Sequence, residues 1–127
     1  MIAVDTSALM AIILHEASGG RCKAALDTDD RILISAGTLA EALIVAGSRA
    51  LRNQMLDLIE SIGMEVVPVT DAAARRVGDA HAKWGRGAKT AGLNFGDCFA
   101  YEVAKENGCP LLYAGRDFAR TDIKSAL

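Results

Sequence analysis

Four short apolar runs, each separated from the next by helix-length sequence, constrain this chain most. They are residues 1–4, 32–35, 64–69 and 110–113, and all but the third lack charge. A strand-length run with no polar alternation expects burial on both faces, which is the habit of parallel sheets. The intervening segments carry helical signals. Thr6 or Ser7 is placed to cap a helix running to about Leu14, and residues 18–26 form a second. Asp27-Thr28-Asp29-Asp30 is a polar turn. A further helix covers roughly residues 38–45 and ends near Gly47. Leu51, Met55, Leu58, Ile59 and Ile62 recur at helical spacing over residues 51–62. Thr70 is placed to cap a helix over 71–84. Gly85-Arg86-Gly87-Ala88-Lys89-Thr90-Ala91-Gly92 is a glycine-rich basic loop. Gly96-Asp97 opens a helix to about Asn107, with Gly108 as its stop. The pattern predicts an α/β fold, a central parallel sheet of four to five strands flanked by helices. Sites in such sheets gather at the carboxyl ends of the strands. Asp5 stands at one such end, and the polar, turn-like tail 115–122 follows another.

At 127 residues the chain has the size of one domain, 1–127, with no repeat, linker or low-complexity segment. Half of it is hydrophobic, enough for a core without disulfides. The most apolar stretch, 32–48, holds Glu41 near its middle, so no membrane span is expected. The opening Met-Ile-Ala-Val-Asp has no basic region before its apolar residues, which predicts a cytoplasmic protein. Cys22, Cys98 and Cys109 form no C-x-x-C pair and no zinc spacing, and read as small core residues. His15 and His81 read as structural or surface residues, too few for a histidine-rich metal site. A net charge of -2 argues against purely electrostatic binding of nucleic acid. Contact with RNA would need a local basic patch, or metal ions in an acidic pocket.

Three carboxylates are set apart by their surroundings. Asp5 is the sole charge in 1–14, Glu41 in 32–48, and Asp97 in 90–101. Burying an unpaired carboxylate is costly, and no Lys or Arg lies within these stretches to offset it. Each acid also has a local explanation: Asp5 or Asp97 as a helix cap, Glu41 as a buried ion-pair partner. For all three at once, convergence on a shared divalent cation is the economical solution. A hard cation such as Mg²⁺ takes oxygen ligands, and water bound to a metal can attack a phosphodiester. Asp117 and Asp122 lie in the polar tail, where acids are ordinary; Asp117 follows a predicted strand closely enough to approach Asp5.

Several ordered motifs resemble one family. Ile2-Ala3-Val4-Asp5-Thr6-Ser7-Ala8-Leu9 resembles the first motif of PIN domains. Residues 35–41 fit the second, in which a helical Glu follows the second strand. Leu93-Asn94-Phe95-Gly96-Asp97-Cys98-Phe99-Ala100-Tyr101 resembles the third acidic motif, in the version seen in VapC toxins. Leu111-Leu112-Tyr113-Ala114-Gly115-Arg116-Asp117-Phe118, with Thr121-Asp122-Ile123, is similar to the VapC C-terminus, except that the commoner tail has an acid or amide at the position of Arg116. The resemblance spans essentially the whole chain. It implies a PIN fold, and Mg²⁺ or Mn²⁺ held by Asp5, Glu41, Asp97 and a fourth acid, Asp117 or alternatively Asp122. It implies endonucleolytic cleavage of RNA by a metal-activated water, in a toxin of a type II toxin–antitoxin system that forms homodimers and is held inactive by a VapB-like antitoxin.

On this reading Asp5 and Asp97 ligate the metal directly. Glu41 and Asp117 orient water, accept a proton or help hold a second ion. The hydroxyls of Thr6 and Ser7 are expected to fix the Asp5 carboxylate or bond to a bound water, besides capping their helix. Arg86 and Lys89 of the basic loop, with Arg116 and Arg120, are candidate phosphate contacts. Trp84 can stack on a base or simply pack. The apolar helices 8–14 and 51–62 are candidate surfaces for a second copy or for an antitoxin helix. The rival readings are a catalytically silent PIN-like binding module, and a nuclease or phosphatase acting on DNA or another phosphoester. An aspartyl-phosphate phosphatase needs a second Asp two residues after its nucleophile; here that position is Ser7.

Overall fold

In the computed structural model, residues 1–87 and 91–127 are described. The element order is β1 (Ile2–Val4), α1 (Thr6–Ile13), α2 (Gly19–Thr28), β2 (Ile32–Ser35), α3 (Ala36–Ser48), α4 (Arg52–Ile62), β3 (Glu65–Val67), α5 (Asp71–Trp84), α6 (Phe95–Glu106) and β4 (Leu111–Leu112). The four strands form one parallel sheet in the order β3-β2-β1-β4. Its register pairs Ile2 with Ile32, Ala3 with Leu111 and Ile34 with Val66. This is the α/β architecture expected, at the lower end of the strand count.

The sheet is covered on both faces, as its unalternating strands require. Ile2, Val4, Ile32, Ile34 and Leu112 point into a core shared with α1, α2, α3 and α4. Ala3, Leu33 and Leu111 point the other way, into a core built from α5, α6 and Phe118. A buried Leu or Ile contributes about 1.5–3 kcal/mol, so these two layers carry most of the fold's stabilisation. The apolar surplus of α1 is spent here. Ala8, Leu9, Met10 and Ala11 are buried, and α4 turns Met55 and Leu58 into the same core. Apolar side chains do reach solvent on α3 and α6, where Ile44 and Phe95 are each 71% exposed. Of the segment 8–14, Ile12, Ile13 and Leu14 remain partly exposed. The three cysteines are buried and free, as small core residues.

Local chemistry corrects several boundaries. Helix α3 starts earlier than its periodicity suggests, because the Ser35 hydroxyl accepts the Gly37 N–H at 3.1 Å and caps it. Strand β3 stops before Pro68, which has no N–H to give a ladder. Thr70 caps α5 as expected, accepting the Ala73 N–H at 3.1 Å. The cap of α1 is Asp5, not Thr6 or Ser7. Among the described residues, no helix is long and apolar enough to cross a membrane.

The topology decides where a site can form. From β1 the chain winds to β2 and β3 on one side, and later places β4 on the other. The connections diverge between β1 and β4, so a crevice opens at their carboxyl ends. Asp5 is the first residue beyond β1, and its N–H donates to Leu112 O at 2.9 Å.

Candidate active site

Asp5 leaves the strand in an extended conformation, and its Oδ2 accepts two hydrogen bonds, from the Ser7 N–H at 3.0 Å and the Ser7 hydroxyl at 2.6 Å. That hydroxyl also accepts the Ala114 N–H at 3.0 Å, tying the segment after β4 to Asp5. The other carboxylate oxygen, Oδ1, is buried without a partner among the described residues. Such an orphan is costly unless something outside the chain satisfies it. Burial is the main cause that pushes the Asp5 pKa up to about 7; the Ser7 bonds oppose it, and the charges of Asp97 and Glu41 add to it.

Asp97 stands in the first turn of α6. Asn94 caps that helix by accepting the Asp97 N–H at 2.9 Å, and Asp97 Oδ2 accepts the Asn94 N–H at 3.1 Å. Asp97 is thus a capping residue and a member of the acidic cluster at once. Burial raises its pKa to about 6, opposed by the Asn94 N–H and reinforced by Asp117 and Glu41. Glu41 projects from the second turn of α3, and its Oε1 accepts the Thr6 hydroxyl at 2.5 Å. Of the two hydroxyls expected to fix Asp5, Ser7 does so and Thr6 holds Glu41 instead.

The structure therefore places Asp97 and Glu41 within electrostatic reach of Asp5, and Asp117 and Glu41 within reach of Asp97. Asp117 sits in the exposed turn after β4. Asp122 is engaged elsewhere. It accepts the Tyr101 hydroxyl at 2.7 Å and the Lys105 ammonium at 3.1 Å, bonds that hold its pKa below the usual range, the Tyr101 bond foremost. Trp84 donates to the same Tyr101 oxygen at 2.9 Å, so it packs into this network. Arg86, Arg116 and Arg120 are exposed, while Lys89 lies outside the described residues.

Several acids elsewhere in the fold are ion-paired. Asp29 meets the N-terminal ammonium, Glu65 meets Arg31, Asp71 meets Arg75, and the buried Glu102 meets Arg76. Among the described residues none of Asp5, Glu41, Asp97 or Asp117 has a cationic partner within 4.0 Å. The donor set is wholly carboxylate oxygen, which suits a hard divalent cation. The cluster is loose, however: among the described residues no three acids, histidines or cysteines stand ready as a set of metal ligands. Two contributors escaped the sequence reading, Asn94 as the cap of α6 and Gly96 as the surface on which Glu41 rests. The spacing from Asn94 to Asp97 is a capping-box signature and was the available signal for the first. The second has no signal in one dimension.

The model of the PIN domain family matches residues 2–124. The chain is 39% identical over 128 residues to Ribonuclease VapC28 of Mycobacterium tuberculosis, covering 98% of this chain and 96% of that one. Among solved structures it resembles Mycobacterium tuberculosis VapC20, described as a sarcin-ricin loop cleaving toxin, with a TM-score of 0.76 at 17% identity over 97% of this chain and 96% of that one. A toxin–antitoxin complex from Klebsiella pneumoniae has a chain of the same fold, with a TM-score of 0.71 at 16% identity over 96% and 93%. Family match, similarity over nearly the full length and shared fold agree: the chain belongs to the PIN domain family, in its VapC branch.

Proposed function

We propose that the protein is a Mg²⁺- or Mn²⁺-dependent endoribonuclease, the toxin of a toxin–antitoxin pair. The observation that carries this reading is Asp5 Oδ1, buried and unpartnered among the described residues, beside Asp97 and Glu41. Asp5 and Asp97 would hold the ion, with Glu41 and Asp117 completing the set; Asp117 is preferred over Asp122 because the latter is bonded to Tyr101 and Lys105. The ion supplies Lewis acidity for hydrolysis of a phosphodiester. Around it, Ser7 fixes the orientation of Asp5, Thr6 that of Glu41, and Asn94 that of Asp97. Glu41 and Asp117 are the bases available to accept a proton from attacking water. Arg86, Lys89, Arg116 and Arg120 supply salt-sensitive contacts to RNA phosphates.

The partner is a VapB-like antitoxin, a reading supported by likeness to the Klebsiella pneumoniae toxin–antitoxin complex. The homodimer is best supported at α3 and α6. There a groove of about 340 Å³, lined by Gly37, Ala40, Glu41, Ile44, Phe95, Gly96 and Phe99, carries the two most exposed apolar side chains. The test is cleavage of mixed single-stranded RNA by partner-free protein in Mn²⁺ or Mg²⁺, repeated in EDTA and with Asp97→Asn. Asn keeps the capping acceptor, so the variant should fold. We expect metal-dependent cleavage, and a loss of at least about a hundredfold in Asp97→Asn. Absence of both cleavage and metal binding in folded wild type would favour a binding module instead.

A further inference from the structure

We infer that Gly96 is a positioning residue for the proposed reaction: its missing side chain is the seat on which the Glu41 carboxylate rests. This rests on the function proposed above. A Cβ at Gly96 would lie 1.7 Å from Glu41 Oε2 and 2.5 Å from its Cδ, so carboxylate and side chain cannot occupy the same space. The other oxygen, Oε1, is held by Thr6. Glu41 is thereby placed by two elements besides its own, a hydroxyl from α1 and a bare backbone from α6, directly beside Asp97. The seat has a counterpart on α3. A Cβ at Gly37 would lie 2.4 Å from Phe99 Cδ1, so each helix offers a glycine in its first turn to a side chain of the other. This mutual recess lets α3 and α6 approach closely enough for acids on both to share one crevice. The Gly96 backbone does not itself require glycine, since Gly96 is helical and is not among the glycines with positive φ.

That last point makes the inference testable. What obstructs a side chain at position 96 is the free end of Glu41, so Gly96→Ala should fold while displacing the carboxylate. We expect its melting temperature to stay within a few degrees of wild type. Mn²⁺ affinity by calorimetry should fall at least about tenfold. RNA cleavage should fall by about a hundredfold, with kcat affected more than KM. Adding Glu41→Asp, which shortens the obstructing chain by one methylene, should recover a substantial part of both losses, whereas Glu41→Asp alone should be impaired. A merely structural glycine would not be rescued from α3. If Gly96→Ala fails to fold, Gly96→Ala with Glu41→Ala must fold, because the obstruction is gone; failure of that pair overturns the seat. Wild-type affinity and cleavage in Gly96→Ala, or no recovery in the Glu41→Asp pair, overturns this inference alone. A wild type that neither binds Mn²⁺ nor cuts RNA overturns the proposed function, and this inference with it.

Discussion

Asp5 is 2% exposed and carries an oxygen that no described residue satisfies, so its ionised form opposes folding. Its folded pKa of about 7, and the value of about 6 for Asp97, lie above the unfolded reference of 3.8. The folded state therefore binds protons more tightly than the unfolded chain. Below about pH 4 both states are protonated and the groups contribute nothing. As pH rises through the interval from there to about 7 the unfolded chain loses its protons first, and stability falls. Asp29 and Asp122, whose pKa values are lowered, act in the opposite sense, so the comparison must be between variants. Asp5→Asn keeps an acceptor for Ser7 and removes the charge. In EDTA it should be more stable than wild type at pH 8, by about 1–3 kcal/mol, with the gap closing toward pH 4.5. Thermal melts across that range check this; parallel profiles for the two proteins would show that Asp5 carries no such burden.

At the scale of elements, the crevice depends on how closely α3 and α6 approach. Gly37 is the more demanding half of that contact, because its added Cβ would meet the root of the Phe99 ring, where a rotamer change gives little relief. Gly37→Ala should therefore force the helices apart and destabilise the protein by about 1–3 kcal/mol. Denaturant midpoints measure this. Phe99→Leu in the same chain should return part of the loss, since the narrower side chain vacates the contested volume. A Gly37→Ala variant as stable as wild type would mean that the helices adjust without cost. Helices α5 and α6 are joined differently, through the chain of bonds from Trp84 to Tyr101 to Asp122 and through the ion pairs of Arg76 with Glu102 and Glu106. Polar pairing there holds structure. Among the described residues, the acids at the carboxyl ends of β1 and β4 are left without cations.

For the molecule as a whole, charge is distributed by the direction of the sheet. Ion pairs fasten its amino end, where the N-terminal ammonium meets Asp29 and Arg31 meets Glu65. Asp5 and Asp97 stand buried near the other end beside further carboxylates, so a net charge of only -2 conceals an acidic crevice. The groove that Glu41 and Gly96 also line bears on assembly. If a second copy covers Ile44 and Phe95, the wild type should scatter light with about twice the chain mass of 13.3 kDa. Ile44→Glu should then give a folded monomer, because the position is exposed and leaves the core untouched. A wild type of monomer mass at micromolar concentration would count against this face as the dimer surface.

The linear chain carried the architecture and much of the chemistry. Strands without polar alternation demand a sheet covered on both faces, and Asp5, Glu41 and Asp97 were legible because charge stands out in sequence that is otherwise buried. The PIN motifs were legible for the same local reason, being runs of adjacent residues. Relations between distant residues were not. That Asp5 caps α1, that Thr6 serves Glu41 while Ser7 serves Asp5, and that Asp122 turns to Tyr101 are choices among partners with nearly equal local claims. Packing decided them by fixing which groups share a buried volume. Likewise the destination of the apolar residues of α1 depended on how many neighbours enclosed that helix. The seat at Gly96 exists only because α3 arrives against α6, a proximity between residues far apart in the chain that no local periodicity encodes.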